Sequence, residues 1–64
     1  MSGQELRTLA TAAGIKPEVV CAEADISMGS LWRVYSDAGV KPTTRIKVEQ
    51  AIKRLVAKAQ AVAV

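Results

Sequence analysis

Three breaks limit what this chain can fold into. Gly14-Ile15-Lys16-Pro17, Asp25-Ile26-Ser27 and Gly39-Val40-Lys41-Pro42 each interrupt a run of residues with helical period. Gly14 accepts the left-handed turn that ends a helix, and Pro17 suits a first helical position, where the missing amide would have had no partner. The breaks cut the chain into four helical segments. β-branched residues nowhere alternate with polar ones over a useful length, so the pattern offers no strand. The expectation is an all-α, compact four-helix domain spanning residues 1–64, in which helices two and three are short and joined by a tight turn.

Each segment carries its own signals. Ser2 and Glu5 have the S-x-x-E spacing of a capping box, and Leu6, Leu9, Ala10 and Ala13 lay one apolar stripe behind it. Helix two follows Pro17 and is small-sided: Val19, Val20, Cys21, Ala22 and Ala24. Ser27 is a good N-cap for helix three, which Leu31 and Val34 give a buried edge. On that helix Trp32 shares a second stripe with Met28 and Tyr35. Ser36, Asp37 and Gly39 unwind it. Lys41-Pro42 reads as a turn, with Thr43 or Thr44 capping a fourth helix that runs from about Thr44 towards Gln60.

A 64-residue chain buries only about 60% of its unfolded surface, so its stability margin is thin. It contains no histidine and a single cysteine, which rules out a disulfide framework and a zinc site and points to a reducing compartment. No cofactor or small-molecule ligand is expected. An enzyme lacks its parts here: there is no glycine-rich phosphate loop and no nucleophile–base pair, and Cys21 lies at a packing position. No apolar run approaches the roughly 20 residues of a membrane span, and the first residues are not a signal peptide, so the expected location is the cytoplasm. Charge is unevenly spread. Residues 1–40 hold three cations against five carboxylates, a net of −2, whereas residues 41–64 hold six cations against one, a net of +5. A basic half suits an anionic partner such as nucleic acid, although the same charges also suit a solvated helix face.

Two short helices joined by a tight turn, the second richer in polar and aromatic groups, have the form of a helix-turn-helix. The apolar residues Val20, Ala24, Ile26, Leu31 and Val34 stand where such a pair must pack, and small Cys21 falls where helix three crosses helix two. The stretch "VVCAEADISMGSLWRV" resembles the helix-turn-helix core of Cro-like (Xre-type) bacterial and phage repressors and is similar to the lactose-repressor type of headpiece. The stretch "GVKPTTRIKVEQAIKRL" extends the likeness more loosely. One residue departs from the pattern: Asp25 stands where the turn usually has glycine, and aspartate tolerates the left-handed conformation better than most residues. The resemblance implies DNA binding and the control of phage, plasmid or other mobile elements.

An α-helix fits the major groove, about 12 Å wide, with its N-terminal residues against base edges. Met28, Gly29, Ser30 and Arg33 are therefore the candidate base readers. Met28, Gly29 and Arg33 match the reading positions of the family, the first two of the recognition helix and the sixth. Arg33 can grip the O6 and N7 of a guanine, and Met28 can touch a thymine methyl. Gly29, bare in a helix at a cost of about 1 kcal/mol relative to alanine, fits close approach to DNA better than a packing role. Trp32 has two readings, a flat surface against sugar and phosphate or a core residue against helix four. Contacts to the DNA backbone are expected from helix starts and nearby cations: Lys16, Ser27, Trp32, Lys41, Thr43, Thr44, Arg45 and Lys47.

Val48, Ile52, Leu55, Ala59 and Val62 step by four and three along the last helix, the seam of a coiled-coil-like contact, with Ile46, Ala51, Val56 and Ala63 as a second edge. The seam suits a homodimer on double-stranded DNA bearing an inverted repeat; a wide stripe packed within one chain is the alternative. The expected function is a dimeric transcriptional repressor that occupies an operator. An architectural DNA-bending or excision factor, and a protein-binding antiactivator using the same helix face, are the other readings.

Overall fold

The computed structural model describes residues 2–62, with side chains through Gln60. Its helices are α1 (Gly3–Ala12), α2 (Pro17–Ala24), α3 (Met28–Tyr35) and α4 (Pro42–Val62), and no strand occurs among the described residues. The chain is thus the all-α, four-helix domain that its breaks predict.

Each helix end has an identifiable cause. The capping box opens α1: the Glu5 amide donates to Ser2 Oγ at 3.1 Å and the Ser2 amide to Glu5 Oε1 at 3.3 Å. Gly14 closes α1 at φ 73°, with its amide on the Thr11 carbonyl and that of Ile15 on the Ala10 carbonyl. That pair of bonds satisfies two carbonyls a helix end would otherwise leave open. Pro17 begins α2, and Asp25 ends it in the left-handed region at φ 57°, ψ 53°. Ser27 caps α3 by accepting the Ser30 amide at 3.2 Å.

One boundary differs from the sequence reading. Helix α4 starts at Pro42, with the Lys41 carbonyl accepting the amides of Thr44 and Arg45. Thr43 and Thr44 therefore lie inside the first turn and are not caps. The physical reason is the fixed φ of proline, which pre-organises a first helical residue. Helix α3 ends at Tyr35, ahead of Ser36, Asp37 and Gly39 as expected, and the left-handed residue among them is Asp37, φ 57°.

The core runs between all four helices. Leu6, Val20, Leu31, Val34, Val48 and Ile52 are its largest fully buried side chains, each contributing about 1.5–3 kcal/mol by leaving water. Leu9, Ile15, Ile26, Val40, Leu55 and Val56 pack around them half-buried. Helix α4 touches each of the other three, most extensively α2. The helix-turn-helix pair is pinned from behind as a result, and the first faces of α3 are left to the outside.

Two corrections concern packing. Tyr35 is buried with Leu31 and Val34 and does not continue an outer stripe with Met28 and Trp32. Of the expected dimer seam, Val48 and Ile52 are 0% exposed within a single chain, so neither can touch a second copy. Three short helices present enough apolar surface to cover them. Leu55 is half-buried and Ala59 is exposed, while the side chains of Val62 and Ala63 lie outside the described residues.

Candidate nucleic-acid interface

Helix α3 divides cleanly into two faces. Leu31, Val34 and Tyr35 turn inward, at the i, i+3, i+4 spacing of a buried edge. Gly29 and Arg33 lie on the opposite side, Met28 and Trp32 stand at its border with the buried edge, and all four are exposed. Their spacing of one and four places them on one continuous strip of helix surface.

At the start of this strip the groups are held by local bonds. Ser27 Oγ accepts the Ser30 amide and donates to Ser30 Oγ at 3.1 Å, so both hydroxyls are engaged in the cap and Ser30 is half-buried. Met28 is 36% exposed, and its sulfur accepts the Cys21 thiol at 3.3 Å. That contact joins α2 to α3 where they cross. Burial, reinforced by the negative charge of Glu18, pushes the Cys21 thiol above its ordinary value, so it stays protonated and donates. Gly29 faces open space: a Cβ built on it would find only Ser27 Oγ, at 4.0 Å. No packing partner accounts for the glycine. The amides of Met28 and Gly29 have no acceptor among the described residues, and they carry the positive end of the helix dipole.

Trp32 is 44% exposed and so is not a core residue. Its ring stands edge-on to Tyr35, with centroids 5.9 Å apart and planes at 67°, and the guanidinium carbon of Arg7 lies 6.0 Å from its centroid. Tyr35 in turn has its phenol pushed upward, chiefly by burial, with the Arg7 charge acting the other way.

The basic half of the sequence is not uniformly available. Arg54 and Lys58 both reach Glu23 on α2 at 3.4 Å, and Lys53 pairs with Glu49 at 3.5 Å. The hydrogen bond from Lys58, then its charge and the bond from Arg54, hold the Glu23 carboxyl below the usual glutamate range. Arg45, expected at the DNA backbone, pairs with Asp37 at 3.3 Å. This exposed pair is worth about 0–1 kcal/mol, so a phosphate could displace it at little cost. Lys16 is exposed at the N-cap of α2, and Lys41, Thr43 and Lys47 are exposed at or beside the first turns of α4, where Thr44 is half-buried.

The sequence reading missed two structural residues. Asp37 Oδ1 accepts the Gly3 amide at 2.8 Å while pairing with Arg45, and thereby ties α1 and α4 to the end of α3. Gly3 is where α1 meets α3: a Cβ there would overlap the Val34 carbonyl. Neither has a local signal, because both partners are distant in sequence. No family model, curated protein or solved structure matches this chain.

Proposed function

We propose that this protein is a DNA-binding transcriptional regulator, a repressor that occupies its operator by laying α3 in the major groove. The observation that carries this reading is the outer strip of α3. A helix that buries Leu31, Val34 and Tyr35 leaves Met28, Gly29 and Arg33 exposed at its leading side, with a bare spot at Gly29 that no packing demands. Arg33 has no carboxylate partner among the described residues, which leaves its fork available to a guanine. Free amides at the start of α3 and the exposed cations Lys16, Lys41 and Lys47 supply contacts to phosphate. Ser27 and Ser30 serve the cap first and the DNA second.

In this reading two copies sit on an inverted repeat with half-sites about 34 Å apart. The contact between copies excludes Val48 and Ile52 and draws on Leu55 and Ala59. With binding alone as its activity, the protein acts through its concentration, by excluding polymerase from an overlapping promoter.

Selection of bound duplexes from random DNA tests the reading, and one enriched palindrome is expected. Arg33→Ala should cost about 1–3 kcal/mol on that site and relax preference at one base pair per half-site. Equal weakening on all sequences would make Arg33 a phosphate contact instead. A protein-binding role is the second reading, favoured by the exposed apolar surface of Met28 and Trp32. Lack of any duplex affinity at low salt would select it.

A further inference from the structure

The nine cations of the chain divide by what they touch. Arg45, Lys53, Arg54 and Lys58 each lie within 3.5 Å of a carboxylate. Lys16, Arg33, Lys41 and Lys47 have no carboxylate partner among the described residues, and all four already belong to the DNA-facing set. One further cation shares their condition. Arg7, on α1 in the acidic half of the sequence, has no carboxylate partner among the described residues either, and rests instead against Trp32.

We infer that Arg7 is a further phosphate-contacting residue of the α3 interface and that Trp32 is its positioning residue. The inference rests on the DNA-binding reading above. Tyr35 is anchored in the core, Trp32 stands edge-on to it, and the Arg7 guanidinium lies over the exposed ring. This chain of contacts runs from the core to the surface and fixes where the charge sits. An aromatic ring attracts the guanidinium charge without accepting its N–H groups in conventional hydrogen bonds, so the donors remain for a phosphate oxygen. A salt-bridged arginine would have those donors taken. The DNA footprint then extends past α3 onto α1, beside the outer strip that carries Met28, Gly29 and Arg33. Trp32 contributes by holding a cation at that edge as well as by its own surface.

The test is the salt dependence of binding by the full chain to the selected duplex, compared with a duplex of unrelated sequence. Each phosphate neutralised adds roughly −0.9 to the slope of log affinity against log salt. Arg7→Gln should reduce the steepness by about that amount on both duplexes and leave the base preference unchanged. Arg7→Lys should keep the slope, since it keeps the charge. Trp32→Ala should weaken binding more in the wild type than in the Arg7→Gln background, because only its direct contact remains to be lost there. In parallel, a dicarbonyl reagent that modifies arginines, read by mass spectrometry on the wild-type protein, should label Arg7 in the free protein and much less in the complex. An unchanged slope in Arg7→Gln, or labelling of Arg7 that DNA does not reduce, would overturn the inference while Arg33-dependent base preference keeps the parent reading. A wild-type protein with no duplex affinity at the lowest salt would remove both.

Discussion

At the scale of single residues, two glycines at helix starts have opposite meanings, and the sequence alone does not separate them. Gly3 and Gly29 both occupy first turns, yet a Cβ at Gly3 would overlap the Val34 carbonyl and one at Gly29 meets nothing closer than 4.0 Å. The Val34 carbonyl is helix backbone and cannot step aside, so Gly3→Ala should destabilise the fold by about 1–3 kcal/mol, as overpacking does. Gly29→Gln should raise the melting temperature, since replacing a glycine in a helix by a better helix former gains up to about 1 kcal/mol. The same Gln should weaken or redirect DNA binding per folded molecule. Thermal melting with a binding assay on both variants checks the pair, and a Gly29→Gln protein that melts lower yet binds normally contradicts the close-approach role. Asp37 is the other residue whose meaning is tertiary. It combines a left-handed backbone at φ 57° with a carboxylate that accepts the Gly3 amide at 2.8 Å. Asp37→Asn keeps both the acceptor and the tolerance of that backbone and should change urea stability little. Asp37→Ala loses the cap and strains the turn, at a cost of about 1–2 kcal/mol.

At the scale of elements, α2 is held to α4 by burial and, at its rim, by one carboxylate shared between two cations. Lys58 and Arg54 keep Glu23 below the usual glutamate range. A carboxyl whose folded pKa lies below its unfolded value contributes stability above the unfolded value, and that stability is lost as pH falls through the folded one. Melting should therefore fall more steeply in the wild type than in Glu23→Gln as pH drops from about 6 towards about 3, with the two converging at the acid end. A constant difference across that range would show that Glu23 acts by packing and not by charge. The same cluster explains why a block of positive sequence does not become a block of positive surface: three of its cations are committed to Glu23 and Glu49.

At the scale of the whole molecule, the core is completed within one chain. Ile52 is among its largest fully buried side chains, so Ile52→Ala should cost about 2–5 kcal/mol, a large share of what a domain of 64 residues has to lose. Because that burial is internal, the loss should not depend on protein concentration. Urea midpoints measured over a hundredfold range of concentration check this, and a loss that shrinks at high concentration would mean that copies share Ile52. Reading an inverted repeat is a separate matter. It predicts that affinity drops when the spacing between half-sites changes by half a helical turn, since two copies can no longer dock on one face of the duplex.

The number of helices, the capping box at Ser2 and Glu5, the stops at Gly14 and Asp25, the cap at Ser27 and most of the core were legible in the residues themselves. These features depend on bonds and contacts within one or two turns, and local geometry dictates them whatever else the chain does. The start of α4 was nearly so, with Pro42 carrying a signal that its turn-like neighbours obscured. Among the candidate interface residues, the exposure of Met28, Gly29 and Arg33 followed from helical spacing against Leu31 and Val34. Which way Trp32 and Tyr35 turn did not, because both are large aromatics and the choice depends on where the flanking helices pack. Helix periodicity says that Val48 and Ile52 need a partner surface but not whose it is, and here α1, α2 and α3 supply it. The fate of each cation was likewise decided by carboxylates more than thirty residues away for Arg54 and Lys58, and by a ring on another helix for Arg7. Local conformation is written in neighbouring residues, whereas the pairing of charges and faces exists only once distant segments have met.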